Sequence, residues 1–362
     1  EAAGMINAAR RPILYLGGGV VHAGAAGEAV ELAEKAGLPT VMTLMALGAM
    51  PVDHPLSLGM LGMHAARYTN LALDECDLLI AVGARFDDRA TGKVAAFCPQ
   101  AKIIHIDIDP AELDKIKTAH VGITADVREA LTRLLPAVAA SERTEWQQRV
   151  AALKAEHPLQ MPGCNDPLSH FGLIRTVAAC LDDEAVIATD VGQHQMWVAQ
   201  AYPLRRPRQW LTSGGLGTMG FGVPAAIGAA LAEPQRTVVC FTGDGSILMN
   251  IQELVTAAEE NVNLKIVLMN NATLGLVHQQ QTLFYGERLF ASQFKASPDF
   301  VKVAQGFGIA AIDLHKAANP CAALMEAINR PGPCLIHASI DAEQKVYPMV
   351  PPGAANRDMI GA

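Results

Sequence analysis

Short apolar runs that alternate with helical patterns are the feature that most constrains the fold of this chain. The runs cover residues 13–16, 40–43, 78–82 and 103–108 in the first half, and residues 185–189, 237–242, 264–269 and 334–340 in the second half. Runs of this length and composition are typical of parallel strands that are buried on both faces and joined by crossover helices. The pattern therefore predicts an α/β protein with doubly wound parallel sheets.

A segment rich in proline and glycine divides the chain. Residues 157–167 contain three prolines and one glycine, which predicts a linker. We therefore predict two doubly wound parallel-sheet domains, at residues 1–156 and 168–362. A long helix is expected at 126–153, and further helices at 169–181, 221–231, 247–259, 274–284 and 320–328.

Composition excludes some classes of partner. The net charge is −8 and the basic residues do not cluster, which argues against nucleic acid and against an anionic membrane surface. The seven cysteines are scattered without a CxxC pair, which predicts reduced thiols in a cytosolic protein. No apolar run approaches the ~18 residues of a membrane span, and no signal peptide is visible.

The motif most informative about chemistry is GDGS at residues 243–246, followed by NN at 270–271. Asp244 and Asn271 each follow a predicted strand of one βαβ unit, so both belong at the carboxyl edge of the sheet, where ligands bind. A carboxylate and an amide oxygen suit Mg²⁺, which takes its other ligands from phosphates and water. Ser246 is expected to cap the next helix, whose N-terminus attracts anions. The alternative is a strand-end turn with a chance asparagine pair, but the matched spacing favours the metal site.

This combination of GDGS and NN resembles the cofactor motif of thiamine-diphosphate enzymes. The resemblance implies that Asp244 and Asn271 bind Mg²⁺ and that Thr273 adds its backbone carbonyl. It also implies that Met219 wedges between the two rings of the cofactor. Judged without the family, a methionine here is core filler. The residues implied to contact thiamine diphosphate are Val191, Gly192, Gln193, His194, Gly217, Met219, Gly243, Gly245 and Ser246, with the Gln193 and His194 side chains as donors to the diphosphate.

A second motif, GARFDDR at residues 83–89, follows the predicted strand 78–82. Judged on residue chemistry alone, its arginines and aspartates either clamp a diphosphate or pair as surface ions. The string resembles the flavin signature of anabolic acetohydroxyacid synthases (acetolactate synthases), in which the FAD is structural because the carboligation needs no net redox change. The glycines at 17–19 fit a dinucleotide-facing turn, although GxGxxG is incomplete. The residues implied to contact FAD are Leu61, Gly62, Met63, His64, Gly83, Ala84, Arg85, Asp87, Arg89, Asp107, Asp126 and Val127.

The resemblance covers essentially the whole chain, and residues 278–281 and 346–356 are similar to the bacterial isozyme I type of large subunit. It implies condensation of pyruvate with a second 2-ketoacid, pyruvate or 2-ketobutyrate, with loss of CO₂, in branched-chain amino-acid biosynthesis. Leu276, Val277 and Gln280 share one helical face and are implied to lie where the second ketoacid arrives. The implied partners are a homodimer or tetramer of large subunits and a small regulatory subunit, in the bacterial cytoplasm.

Members of the family carry an additional N-terminal domain, with a glutamate that activates the cofactor. No residue here matches that glutamate, so we expect the chain to lack that domain and to be inactive alone. Two alternatives remain open: a related thiamine-diphosphate and FAD enzyme of the glyoxylate carboligase or pyruvate oxidase type, and a non-catalytic cofactor-binding chain. The GARFDDR string and the tail disfavour the first, and a product assay tests the second.

Overall fold

A computed structural model describes residues 1–361. The chain divides into two compact units. Unit 1 contains Glu1–Gln160, Pro203–Arg208 and the residues from Tyr347 onward, and unit 2 contains Met161–Tyr202 and Gln209–Val346. The predicted linker lies where the first segment of unit 1 ends. Two later segments return to unit 1, whereas the division predicted from sequence was strictly linear.

Unit 1 is built on one parallel sheet of six strands in the order β3-β2-β1-β4-β5-β6. Its strands are β1 (Pro12–Leu16), β2 (Thr40–Met42), β3 (Ser57–Met60), β4 (Leu78–Val82), β5 (Lys102–Asp107) and β6 (Val121–Thr124). The chain proceeds from β1 outward to β3 and then continues with β4 on the other side of β1. The strand order therefore reverses between β1 and β4, and ligands of doubly wound folds bind at such a point.

The helices of unit 1 are α1 (Ala2–Ala8), α2 (Gly18–His22), α3 (Ala26–Ala36), α4 (Arg67–Glu75), α5 (Asp88–Thr91), α6 (Val127–Leu134) and α7 (Thr144–Glu156). The long helix predicted at 126–153 is wrong, because α6 gives way to a 3₁₀ turn at Leu135–Ala137 and α7 begins only at Thr144. Pro136 lies in that turn, and proline cannot donate the next helical hydrogen bond. Buried aromatic residues fill one face of the sheet: Tyr15, Phe86, Phe97 and Trp146.

Unit 2 is built on a second parallel sheet, in the order β11-β12-β10-β9-β7-β8. Its strands are β7 (Val186–Thr189), β8 (Trp210–Thr212), β9 (Val238–Gly243), β10 (Leu264–Asn270), β11 (Ala310–Asp313) and β12 (Cys334–Ser339). The chain leaves β7 for the edge strand β8 and then returns to β9 on the other side of β7. The order of this sheet thus reverses between β7 and β9.

The helices of unit 2 are α8 (His170–Ala179), α9 (Gln193–Ala201), α10 (Gly222–Ala232), α11 (Asp244–Ile247), α12 (Glu253–Glu259), α13 (Gly275–Phe284), α14 (Phe300–Gly306) and α15 (Pro320–Asn329). The helix predicted at 247–259 is correct only from Glu253 onward, since α11 is a separate single turn and residues 248–252 are not helical. One face of the sheet packs on small and branched side chains, among them Ala226, Ile227 and Leu254.

All eight strands predicted from apolar runs are present, with ends shifted by at most one residue. The four strands that the sequence did not predict are the two edge strands of each sheet: β3, β6, β8 and β11. All seven cysteines are free thiols, as expected. Within residues 1–361, no helix combines the length and the apolarity needed to cross a bilayer.

Candidate functional site

The candidate metal site of unit 2 lies where strands β9 and β10 end. The two strands run parallel with Gly243 opposite Met269, so Asp244 and the loop after Asn270 emerge side by side. The Asp244 side chain is buried, and its Oδ1 accepts the backbone N–H of Gly245 at 2.9 Å. Burial raises the pKa of Asp244 to about 6, and backbone amides of the adjoining turns, including those of Ala272 and Thr273, oppose that rise.

The second oxygen of Asp244 points to a ligand. Oδ2 is buried and has no hydrogen-bond partner, an arrangement that costs free energy unless something compensates the group. The buried Oγ1 of Thr273 is also without a partner, and Asn271 Oδ1 accepts the Thr273 backbone N–H at 3.2 Å. The structure thus brings together the three predicted metal ligands, Asp244, Asn271 and Thr273.

The donor set decides which metal would fit. Among residues 1–361, no group of three or more histidine, cysteine, aspartate or glutamate side chains could hold an ion. A cation at Asp244 would therefore have one carboxylate and neutral oxygens from the protein, and would need further ligands from phosphate and water. That set fits Mg²⁺ and does not suit zinc, which prefers nitrogen and sulfur.

The loop after β7 places a neutral histidine beside this carboxylate. The His194 ring lies against Gly192 and Gly243, where an added Cβ would lie 2.7 Å and 3.0 Å from ring atoms. Burial lowers the pKa of His194 to about 3, opposed by its hydrogen bond to the backbone of Asp190. His194 Nε2 is buried and has no partner, so it fits the predicted role of a donor to a phosphate.

Two predicted diphosphate contacts use their side chains in other ways. Ser246 does not cap a helix, because α11 begins after Gly243 without a side-chain cap and the Ser246 hydroxyl donates to Val191 O at 2.7 Å. The Gln193 amide donates to Gln279 Oε1 at 3.1 Å and to the backbone carbonyl of Gln344 at 2.8 Å. Both amide hydrogens of Gln193 are therefore used within the protein.

The glycine-rich loop before α10, residues 212–220, lies next to Val191 and Gly245. Gly217 has a φ of +64° and an added Cβ would lie 3.9 Å from Val191. The Cε atom of Met219 lies 3.6 Å from the position of an added Cβ on Gly245, and Met219 is only half-buried. This placement supports the predicted role of Met219 beside a cofactor, since a core methionine would be enclosed.

Helix α13 presents two different faces. Leu276 and Gln280 are partly exposed and Val277 is exposed, whereas His278 and Gln279 are buried. The three residues predicted to meet the second ketoacid thus lie together on the accessible side, as their spacing requires.

Asp190 is a site residue to which the sequence analysis assigned no role. Its buried carboxylate accepts the backbone N–H groups of Val191 at 2.9 Å, Gly220 at 2.8 Å and Gly222 at 3.3 Å. Burial raises the pKa of Asp190, while these hydrogen bonds oppose the rise. Asp190 therefore ties the loop after β7 to the glycine-rich loop, and its position directly after a buried strand was the available signal.

Glycines line the reversal point in unit 1. A Cβ added to Gly17 would lie 2.0 Å from the carbonyl oxygen of Gly83, and one added to Gly19 would lie 2.7 Å from the Gly83 Cα. Gly83 has a φ of +58°. The turns after β1 and β4 therefore touch backbone to backbone at the point where the strand order reverses, and dinucleotides bind in the crevice at that point in doubly wound folds.

The acidic residues of the GARFDDR motif have a local structural role. Asp87 caps α5 by accepting the backbone N–H groups of Arg89 and Ala90, and Asp126 caps α6 in the same way. Arg85 and Arg89 are exposed, and Arg89 pairs with the exposed Asp88 at 3.6 Å. A pair of that kind contributes little stability, which leaves both guanidinium groups accessible to an anionic ligand.

The remaining predicted flavin contacts lie in the same unit. A Cβ on Gly62, whose φ is +94°, would lie 2.2 Å from Arg89 O, and Met63 N–H donates to that carbonyl at 2.8 Å. His64 is buried and bonds Pro348 O at 3.3 Å, and burial lowers its pKa to about 4. Residues 61–64 therefore pack directly on the GARFDDR turn. Leu61, Ala84, Asp107 and Val127 are buried.

Comparison with known proteins agrees with this geometry. Residues 1–134 match the family described as the thiamine pyrophosphate enzyme central domain, and residues 190–338 match the C-terminal TPP binding domain of the same enzymes. The second match spans Asp190, the GDGS motif and the Asn271 loop. The first match spans the glycine turns after β1 and β4.

Three curated relatives match along nearly the whole chain. Acetolactate synthase isozyme 1 large subunit of Escherichia coli is 65% identical, over 100% of this chain and 64% of its own length. Isozyme 2 large subunit of the same organism is 46% identical, over 99% of this chain and 65% of its own length. Acetolactate synthase 2, chloroplastic, of Zea mays is 45% identical, over 98% of this chain and 58% of its own length. The chain spans less than two thirds of the length of each of these relatives, and it belongs to the thiamine pyrophosphate enzymes, where its similarity is to acetolactate synthase large subunits.

Proposed function

We propose that the protein containing this chain is an acetolactate synthase. It would condense pyruvate with a second 2-ketoacid, with loss of CO₂, in branched-chain amino-acid biosynthesis. The observation that carries the proposal is the buried, partnerless oxygen of Asp244 next to Asn271 and Thr273 at the reversal point of the unit 2 sheet. The 65% identity to a named acetolactate synthase large subunit supports the same activity.

In this proposal, residues of unit 2 hold Mg²⁺ and thiamine diphosphate. Asp244, Asn271 and the Thr273 carbonyl would ligate the metal, and His194 Nε2 would donate to the diphosphate. His194 is suited to this because its low pKa keeps it neutral, so the tautomer protonated on Nε2 can donate. When bound, the thiamine group supplies an electron sink for carbanion chemistry.

The half-buried Met219 would contact the bound cofactor, and Leu276, Val277 and Gln280 would line the space for the second ketoacid. Their exposure on one face of α13 leaves them free to meet a small substrate. Unit 1 would hold FAD in the crevice beside Gly83, with Arg85 and Arg89 as phosphate partners. A homodimer or tetramer, a small regulatory subunit and a cytoplasmic location belong to the same proposal.

The metal assignment is tested by Asp244→Ala in the native protein that contains this chain. We expect loss of Mg²⁺-dependent thiamine diphosphate binding in calorimetry, since the anionic ligand is removed. FAD absorbance should be retained because the flavin residues belong to unit 1. Unchanged affinity for the cofactor and metal would contradict the site.

The activity is tested by measuring acetolactate formed from pyruvate with thiamine diphosphate, Mg²⁺ and FAD. We expect product from the native protein and none above background from residues 1–362 alone, because the relatives have a longer chain and no residue here matches the activating glutamate. Native protein that binds the cofactors without forming product would instead be a non-catalytic cofactor-binding protein.

A further inference from the structure

A buried glutamine on α13, the helix that follows the Asn271 loop, is held by the backbone of a segment that is distant in sequence. Gln279 on α13 is 1% exposed. Its Oε1 accepts the N–H of Val346 at 2.7 Å and its Nε2 donates to the carbonyl of Val346 at 3.1 Å. Because a backbone N–H can only donate and a carbonyl can only accept, this pair of bonds allows one orientation of the Gln279 amide.

That orientation determines the next amide. Gln279 Oε1 also accepts from Gln193 Nε2 at 3.1 Å, and the same nitrogen donates to the carbonyl of Gln344 at 2.8 Å. Because both partners are acceptors, the nitrogen of Gln193 must face Gln279 and Gln344. The oxygen of Gln193 must therefore face the opposite way.

The third amide is Asn271. Gln193 Oε1 accepts from Asn271 Nδ2 at 3.0 Å, while Asn271 Oδ1 lies on the other side and accepts the Thr273 N–H at 3.2 Å. The three amides thus form a chain, the amide relay Gln279–Gln193–Asn271. The backbone of Val346 orients the Gln279 amide. Along the chain, the Gln344 carbonyl also holds the Gln193 nitrogen and the Thr273 N–H also holds the Asn271 oxygen.

An amide has two nearly isosteric orientations, and only one of them is useful to a metal. Mg²⁺ takes oxygen ligands, so an inverted Asn271 would direct N–H groups at the cation in place of Oδ1. Partners beyond the ligands themselves commonly orient metal-binding side chains in this way.

We propose that Gln279, which is not itself a metal ligand, is a positioning residue that holds the Asn271 oxygen toward Mg²⁺ through the amide relay. The proposal rests on the metal site of the proposed function. A close contact supports it: a Cβ added to Gly275 would lie 2.0 Å from Gln193 Oε1 and 2.9 Å from Asn271 Nδ2. Helix α13 therefore begins with the residue that leaves room for the central link.

The test is Gln279→Met in the native protein that contains this chain, with Mg²⁺ titrated by calorimetry at saturating thiamine diphosphate. We expect Mg²⁺ affinity to fall about 10- to 100-fold, the range typical when a partner behind a metal ligand is removed. Gly275→Ala should cause a loss of at least the same order, because its Cβ displaces both Gln193 and Asn271 without altering Gln279.

Gln195→Met is the matched control. Gln195 is also a buried glutamine, but its amide donates to Thr212 Oγ1 at 2.8 Å, outside the relay. Urea unfolding of each variant separates positioning from stability. We expect both methionine variants to lose stability and only Gln279→Met to lose Mg²⁺ affinity. Equal affinities in the two methionine variants would overturn the proposal.

A carboxylate at the ligand position gives a second readout. Asn271→Asp presents oxygen in either orientation, so adding Gln279→Met to it should change Mg²⁺ affinity less than twofold. The same fold loss in both backgrounds would overturn the relay and indicate a structural effect alone. If Asp244→Ala abolishes Mg²⁺ binding while Gln279→Met leaves it unchanged, the relay fails and the metal site stands. If Asp244→Ala has no effect, the metal site itself fails.

Discussion

Lys265→Met tests how a buried lysine in unit 2 affects the pH dependence of stability. Lys265 is the second residue of β10 and is fully buried, with Cys334 opposite it on β12. Its Nζ donates to the carbonyls of Arg330 at 2.5 Å and Gly332 at 2.6 Å. Burial lowers the pKa of Lys265 from 10.5 to about 8.

The sign of the pH effect follows from proton uptake. Between pH 8 and about 10.4, the usual pKa of an unfolded lysine, the unfolded chain binds more protons at this position than the folded chain. Stability from this group therefore rises with pH across that window. This lowering of the pKa corresponds to a change of about 3 kcal/mol in the free energy of unfolding, because one pKa unit is about 1.4 kcal/mol. The value is an upper bound, because the two carbonyl partners stabilise the charged form of Lys265.

The assay is urea unfolding of wild type and Lys265→Met at pH 7.5 and pH 10.5. We expect the free energy of unfolding of wild type to gain up to about 3 kcal/mol on the variant between these two values. Lys302→Met, which removes an exposed lysine of α14, is the control and should show no such gain. A difference between wild type and Lys265→Met that stays constant within about 0.5 kcal/mol, well below the shift expected from linkage, would refute the reasoning.

Two further predictions concern the candidate FAD site and the acceptor pocket. Gly17→Ala should weaken FAD binding and destabilise unit 1 by about 1–3 kcal/mol, because the new Cβ meets the backbone of Gly83. The control is Gly27→Ala inside α3, where the added Cβ enters open space and should be neutral or stabilising. Flavin absorbance and thermal melting compare the two variants. Native protein with Gln280 should use pyruvate and 2-ketobutyrate as acceptors with little preference. Gln280→Trp should raise the preference for 2-ketobutyrate at least severalfold, within the roughly 10- to 200-fold that one methylene can provide. Competition between the two acceptors measures this preference, and an unchanged product ratio would remove Gln280 from the acceptor pocket.

The interior of the fold could be predicted from the sequence because interior strands have no polar face. Residues 78–82 are a continuous apolar run, and residues 264–269 are apolar except for Lys265. Both belong to strands with a neighbour on each side. The edge strands escaped prediction because one side faces no partner. In β6, for example, every residue is at least partly exposed, so no apolar run marks it.

The proximity of the candidate metal ligands could be predicted for a related reason. Asp244 and Asn271 follow consecutive parallel strands, and strand direction alone requires their side chains to meet at one edge. Local signals were less reliable where a residue had two possible partners. Ser246 had the sequence of a helix cap, but its hydroxyl bonds Val191 O, 55 positions away.

The sequence by itself thus determined the order of the elements, the two parallel sheets and the residues that meet at the carboxyl edge of the second sheet, because periodicity and chain direction are local properties. Only the tertiary structure decided the edge strands, the return of the C-terminal segment to unit 1 and the orientation of the side-chain amides. Gln193 and Gln279 are 86 positions apart, and Gln279 and Val346 are 67 apart. No pattern along the chain specifies which atom of an amide faces a cation, because hydrogen bonds between distant segments set that choice.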